Sequence, residues 1–194
     1  MITDLDGLGA LLDARRRTLF RLETLDGYEV ASGGSDFLRY LDGEPEPTWE
    51  RKQPWLDELR AERDSGYYRH RVHVLRTPLG PYLCYECEWG YAYNVQAGED
   101  VRILDLADAP EPPGLVDHDF WLVDADLVVL MHYDAAGQFL GGEALPATAT
   151  SRYVAARDAA WAAATPFEPW WAARSQYHRC AGLALSDEYR TLDR

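Results

Sequence analysis

DFWLVDADLVVLMHYDAAGQFLGG, residues 119–142, holds three apolar runs separated by Asp-Ala-Asp at 124–126 and Asp-Ala-Ala-Gly at 134–137, and it ends on a glycine pair. Carboxylates and glycine at the breaks, with β-branched and aromatic residues between them, mark strands joined by tight turns. The stretch therefore predicts an antiparallel meander. Upstream, YYRHRVHVLR at 67–76 alternates, with Val72 and Val74 on one face and Arg69, Arg71 and His73 on the other. That predicts a half-buried strand.

Further out the periodicity turns helical. Leu5, Leu8, Leu11 and Leu12 predict a short N-terminal helix. Ser35 before DFLRYL and Gly43 after it bracket two turns, and Pro54 suits the first position of a helix over 54–65 that Gly66 closes. Positions 79, 82, 83, 86 and 89 of PLGPYLCYECEWGY share one helical stripe. AGEDVRILDL supplies a turn and a strand at 101–105, and ADAPEPPGLVDH a loop. Past Pro146 the composition shifts to alanine and tryptophan; Thr150 or Ser151 is a candidate cap for one helix, and Thr165 to Glu168 reads as a capping box for another. The expected architecture is α+β. A mostly antiparallel sheet of four or five strands flanked by helices occupies residues 1–146, and a helical C-terminal appendage, 147–194, packs on that core.

The chain has 194 residues, 19 basic and 33 acidic, and a formal charge of −14. Seven Trp, twelve Tyr and five Phe supply a real core, which excludes a disordered chain. One lysine, Lys52, stands against eighteen arginines, and the net negative charge disfavours direct nucleic-acid binding. No apolar run is long enough for a membrane helix, and acids precede the first Arg cluster, the reverse of a signal peptide. The expected location is the cytoplasm. Three cysteines, Cys84, Cys87 and Cys180, are too few for a disulfide scaffold, so reduced thiols are expected.

Cys84-x-x-Cys87 with His178 and Cys180 is the nearest approach to a zinc set, but it lacks a second Cys or His pair, so no metal and no cofactor are expected. His70, His73, His118 and His132 lie among many carboxylates without a nucleophile or metalloprotease motif, and no catalytic residue is assigned. Ten acids against Arg102 alone between Glu99 and Asp134 form either a solvated face or a surface for a basic protein. Asp117, Asp124, Asp126 and Asp134 are its candidate contacts. Residues 51–76 carry seven bases against four acids, and Arg69, Arg71 and His73 are candidates for an anionic ligand. Trp170 and Trp171 either pack on the sheet or form a partner-binding patch.

FRLETLDGYEV at 20–30, FLRYLDGEP at 37–45, QPWLDELRAERDSG at 53–66, YRHRVHVLRTPLGPYL at 68–83, ECEWGYAYNVQAGEDVRIL at 86–104 and the meander at 119–142 together resemble an uncharacterised actinobacterial family known only as a domain of unknown function. Its members are commonly encoded beside a helix-turn-helix regulator and a short acidic protein. The resemblance thus implies a regulatory or toxin-antitoxin-like partnership and no established activity. Cys84 and Cys87 depart from the family's more usual residues, and the tail past 146 looks extended. A looser similarity is to half-domains of the phospholipase D superfamily, where a strand carries His-x-Lys followed by Asp. His118-Asp119-Phe120 has Phe in the lysine position, which implies a degenerate, non-catalytic copy.

Two functions are weighed. The first is a non-enzymatic cytoplasmic regulatory protein that docks a protein partner, such as a helix-turn-helix regulator, on its acidic meander and tail. The second is a small-molecule or nucleotide sensor or hydrolase using Arg69, Arg71 and nearby histidines. A deep pocket joining those residues with a carboxylate favours the second, and a flat acidic face favours the first.

Overall fold

Alternating side chains build the central strands, and the helices between them decide which face each strand shows to what. The computed structural model describes residues 2–13, 17–28 and 34–178. Cys180 and the rest of the tail from 179 lie outside them. In chain order the elements are β1 (Ile2–Thr3), α1 (Leu5–Leu12), β2 (Thr18–Glu23), α2 (Gly34–Leu41), α3 (Trp49–Asp64), β3 (Tyr68–Leu75), and α4 (Pro81–Tyr85). A π-helical turn (Glu86–Tyr91) then leads into α5 (Ala92–Ala97). β4 (Asp100–Asp105), β5 (Phe120–Val123), β6 (Leu127–Tyr133), β7 (Phe139–Ala144), α6 (Thr150–Ala163), β8 (Thr165–Pro166) and α7 (Phe167–Ala172) follow.

The strands form one eight-stranded sheet in the order β1-β7-β6-β5-β2-β3-β4-β8. β2, β3 and β4 are parallel, and the remaining pairs are antiparallel. The meander of β5, β6 and β7 stands as the sequence indicates, but the expected sheet of four or five mostly antiparallel strands is corrected to a mixed sheet of eight. Helical crossovers return β3 and β4 parallel to β2. The two edge strands are only two residues long, too short to be marked by periodicity and a poor template for pairing with another chain.

One face of the sheet is dry. Phe20, Leu22, Val72, Val74, Leu104, Phe120 and Leu122 pack there against Tyr153, Ala156 and Ala160 of α6. Alanine at 156 and 160 lets the helix lie close. The C-terminal segment is thus one layer of the sheet's cover, and it continues around the edge. Thr165 pairs with Ile103 in β8 instead of capping a helix, and α7 brings Phe167, Trp170 and Trp171 against Val101 and Ile103 on the opposite face. The opposite face carries α1, α3, the 81–97 helical run and α7, with apolar clusters around Leu8, Trp121 and Val129 and around Leu83, Cys87 and Trp89.

Three local expectations change. β3 is buried on both faces from Arg69 to Leu75, because α3 and the 81–97 run cover the side that alternation would leave to solvent. α3 starts at Trp49, with Pro54 inside the helix, since Arg51 and Lys52 N–H already donate to the Thr48 carbonyl ahead of the proline. The helical stripe at 79–89 is right in type, but its second half is a π turn, a form that recurs at functional sites.

Candidate functional site

Register places the charges. On the helix-rich face, Arg21 of β2 lies beside Arg71 of parallel β3 and beside Trp121 of antiparallel β5, with Glu23 beside His73 in the next row. Two neighbouring guanidinium groups repel unless carboxylates separate them. Glu23 does so, 3.1 Å from Arg21 and 2.8 Å from Arg71. Arg71 turns its other edge to Glu99 at 2.7–2.8 Å, and Glu99 accepts from Asn94 Nδ2 at 2.9 Å. Asn94 Oδ1 accepts from both Lys52 Nζ and Trp55 Nε1 at 3.1 Å, which fixes the amide's orientation. The Tyr91 hydroxyl bridges Glu23, at 3.0 Å, and His73 Nδ1, at 2.7 Å, while His73 Nε2 donates to the Leu25 carbonyl.

This network closes one wall of a cleft of about 420 Å³. Leu5 and Leu8 of α1, Trp121, Met131, Tyr133 and Phe139 of the sheet, Tyr28, and Tyr82 and Glu86 from the 81–97 run complete it around Arg21, Glu23 and Arg71. Tyr28 is held over the cleft by Asp119. That carboxylate accepts from the Tyr28 hydroxyl at 2.7 Å and from the Thr24 N–H and hydroxyl at 2.8 Å. The Arg21 guanidinium lies 5.0 Å from the Trp121 ring centre and 5.5 Å from that of Tyr28, and it donates to the Tyr133 hydroxyl at 3.3 Å.

Burial alone would raise the Glu23 carboxyl, but Arg21 and Arg71 outweigh it and bring its pKa down to about 2. Burial opposes the charge on Arg71 as well, yet Glu23 and Glu99 hold it more firmly protonated than a free arginine. Glu86 moves the other way. Burial and then the charge of Glu23 raise its pKa above the ordinary carboxylate value. Among the described residues Glu86 makes no hydrogen bond or ion pair, and the Tyr82 hydroxyl makes no hydrogen bond. The Glu86 side chain lies back along the π turn because position 90 is glycine; a Cβ there would sit 2.7 Å from Glu86 Oε1.

Most of the chain falls within one family model. Residues 6–172 match the model described as Domain of unknown function (DUF6879). The chain belongs to the DUF6879 family. No curated protein matches it. The DUF6879 match crosses residue 146 and takes in α6 and α7, so the two layers these helices cover lie within the family's range.

Of the expected ligand residues, only Arg71 reaches the DUF6879 cleft. Arg69 is engaged by Glu62 at 2.7 Å and stacks over Trp55, and His73 is sealed behind Tyr91. Of the expected partner contacts, Asp117, Asp126 and Asp134 are exposed and Asp124 is half-buried. Asp124 accepts the Arg17 and Thr18 N–H groups at 2.8 Å, and Asp134 accepts those of Ala136 and Gln138. Trp170 and Trp171 are buried. His118 bonds Asp117 and Tyr153, and His132 bonds Glu143.

The two cysteines of Cys84-x-x-Cys87 are both buried. Cys84 is disulfide-bonded, which corrects the expectation of three reduced thiols, while Cys87 is free and its thiol is pushed up by burial. No three His, Cys, Asp or Glu side chains gather as a metal set among the described residues.

Sequence reading missed Arg21, Glu23, Tyr28, Tyr82, Glu86, Trp121 and Tyr133. The one local signal was TLFRLE at 18–23, where two charged residues at i and i+2 interrupt a strand of apolar side chains.

Proposed function

We propose that this DUF6879 protein binds a small molecule in the cleft between α1 and the 81–97 helical run. The observation that carries the reading is Glu86, a carboxyl without a partner among the described residues, on the wall of a 420 Å³ cleft whose other charges are already paired. Pockets with apolar and aromatic lining and a few converging polar groups are the usual form of a ligand site. A ligand-observed NMR fragment screen on the whole chain tests it. Fragments are expected whose binding disappears in Met131→Trp, a substitution that fills the cleft from β6. A screen with no hit sensitive to Met131→Trp overturns the reading.

Docking of a regulatory protein, with a helix-turn-helix regulator as the partner the family resemblance implies, is a separate proposal. It rests on Asp117 and Asp126, the two exposed carboxylates of the four weighed that make no turn-forming hydrogen bonds to backbone N–H groups. Affinity capture with the wild type and with Asp117→Asn/Asp126→Asn tests it, and capture that is equal in both removes the acidic face. The likeness to a non-catalytic phospholipase D half-domain is likewise a proposal, resting on His118-Asp119-Phe120 in the sequence. Among the described residues no helix is long and apolar enough to cross a membrane. A cytoplasmic setting is a proposal, supported by acids ahead of the first Arg cluster.

A further inference from the structure

The charges around the cleft do not balance. Arg21, Arg71 and Lys52 are the cations of the network, Glu23, Glu99 and Asp119 are its carboxylates, and Glu86 lies beside it on the cleft wall. Arg21 sits between Glu23 and Asp119, 3.1 and 3.8 Å away, and Arg71 sits between Glu23 and Glu99. Arg71 spends Nε, Nη1 and Nη2 on these carboxylates, whereas Arg21 meets them through Nη2 alone and its buried Nε makes no hydrogen bond among the described residues. An anionic ligand at Arg71 would have to break one of these buried pairs, which is strongly unfavourable because it strands a charge, and one at Arg21 would lie against the carboxylates of Glu23 and Asp119. The carboxyl that no guanidinium or ammonium group among the described residues contacts is Glu86; Lys52, whose charge also acts on it, makes no ion pair with it and donates instead to Asn94 Oδ1, and Glu86 lines the cleft with Tyr82.

Resting on the cleft as the ligand site, we infer that it takes an organic cation, an amine or amidine carried on a small apolar or aromatic body, with Glu86 as its counter-ion. The remaining walls suit that chemistry. Tyr28, Tyr82, Trp121, Tyr133 and Phe139 present aromatic surface, which attracts cations through the ring quadrupole and apolar groups through burial. The Arg21 guanidinium already rests over Tyr28 and Trp121, so these rings accept a cation within the protein itself. A charged hydrogen bond from the ligand to Glu86 completes the pairing.

Three probes of nearly one shape test the inference by calorimetry on the full chain: 2-phenylethylamine, 2-phenylethanol and 3-phenylpropionate. The amine is expected to bind at least about tenfold more tightly than the alcohol or the acid, the equivalent of about 1.4 kcal/mol. Glu86→Gln is expected to abolish that preference while leaving the affinity for the alcohol within about twofold, which shows that the cleft and the fold persist. An acid that binds more tightly than the amine, or an amine preference that survives Glu86→Gln, overturns the inference. If the alcohol or the acid binds in a manner blocked by Met131→Trp and the amine gains nothing, the cation inference falls and the cleft reading stands. If none of the three binds, both fall.

Discussion

The two faces of the sheet are made by the same strands and are closed in opposite ways. On one, a single helix with alanine at its contacts presses on Phe20, Leu22, Val72 and Leu122 and leaves a dry layer. On the other, α1, α3, the 81–97 run and α7 approach as separate pieces, and between them lie Arg21, Glu23, Arg71 and Glu99 beside an open cleft. Alternation sets both faces, since Leu22 and Glu23 are neighbours in sequence and lie on opposite sides. The dry face derives its stability from area removed from water, and the charged face has its stability set by whether each ion keeps its partner.

The contrast breaks most sharply at Arg71. Arg71→Met leaves Glu23 and Glu99 buried with fewer cations between them, and the expected cost is about 3–5 kcal/mol in urea denaturation. On the dry side, Leu122→Ala removes apolar contact and opens a cavity, for an expected loss of about 2–5 kcal/mol. Acid separates the two. At low pH the stranded Glu23 carboxylate takes up a proton, so the deficit of the ionic variant should narrow, and the cavity variant should hold a constant one.

Acid resolves the faces by pH. His70 belongs to the dry side, packed by Phe20 and Trp161, and burial lowers its pKa from 6.5 to about 4. The folded state then binds fewer protons than the unfolded chain between those values. Stability contributed by the neutral ring is full above about pH 6.5 and is lost as pH falls toward 4, by at most about 3 kcal/mol. Glu23 has its pKa lowered from 4.5 to about 2, so its contribution is lost in a lower window, as pH falls through that range. His70→Phe is expected to flatten the upper window in melting curves and leave the lower one. An unchanged upper window sinks the assignment.

Gly90→Ala perturbs the cleft more gently. The new methyl group meets only the end of the Glu86 side chain, which rotates, so the melting temperature should shift little while the amine preference changes. The smallest effect belongs to the exposed carboxylates. Asp117→Asn and Asp126→Asn should each stay within about 0.5 kcal/mol of wild type in urea denaturation, and a larger loss would show a structural role for that face.

Local pattern was enough to settle the meander, the helix over the cysteine pair, the loop past Leu106 and the separation of Val72 and Val74 from Arg69, Arg71 and His73. Those are matters of period and turn chemistry, which neighbouring residues carry between them. The size and mixed direction of the sheet were not written in any segment. β1 and β8 are two residues each, and whether β3 and β4 run parallel to β2 depends on where their crossovers pack. The cleft is further still from local pattern. Arg21 and Arg71 are fifty residues apart, Glu86 comes from a helix and Trp121 from a strand, and only register and helix placement bring them together. The sequence by itself determined which strand residues share a face, Val72 and Val74 on one and Arg69, Arg71 and His73 on the other. Tertiary structure decided which charges found partners and which carboxyl did not, because pairing depends on distances of a few ångströms between segments that are remote along the chain.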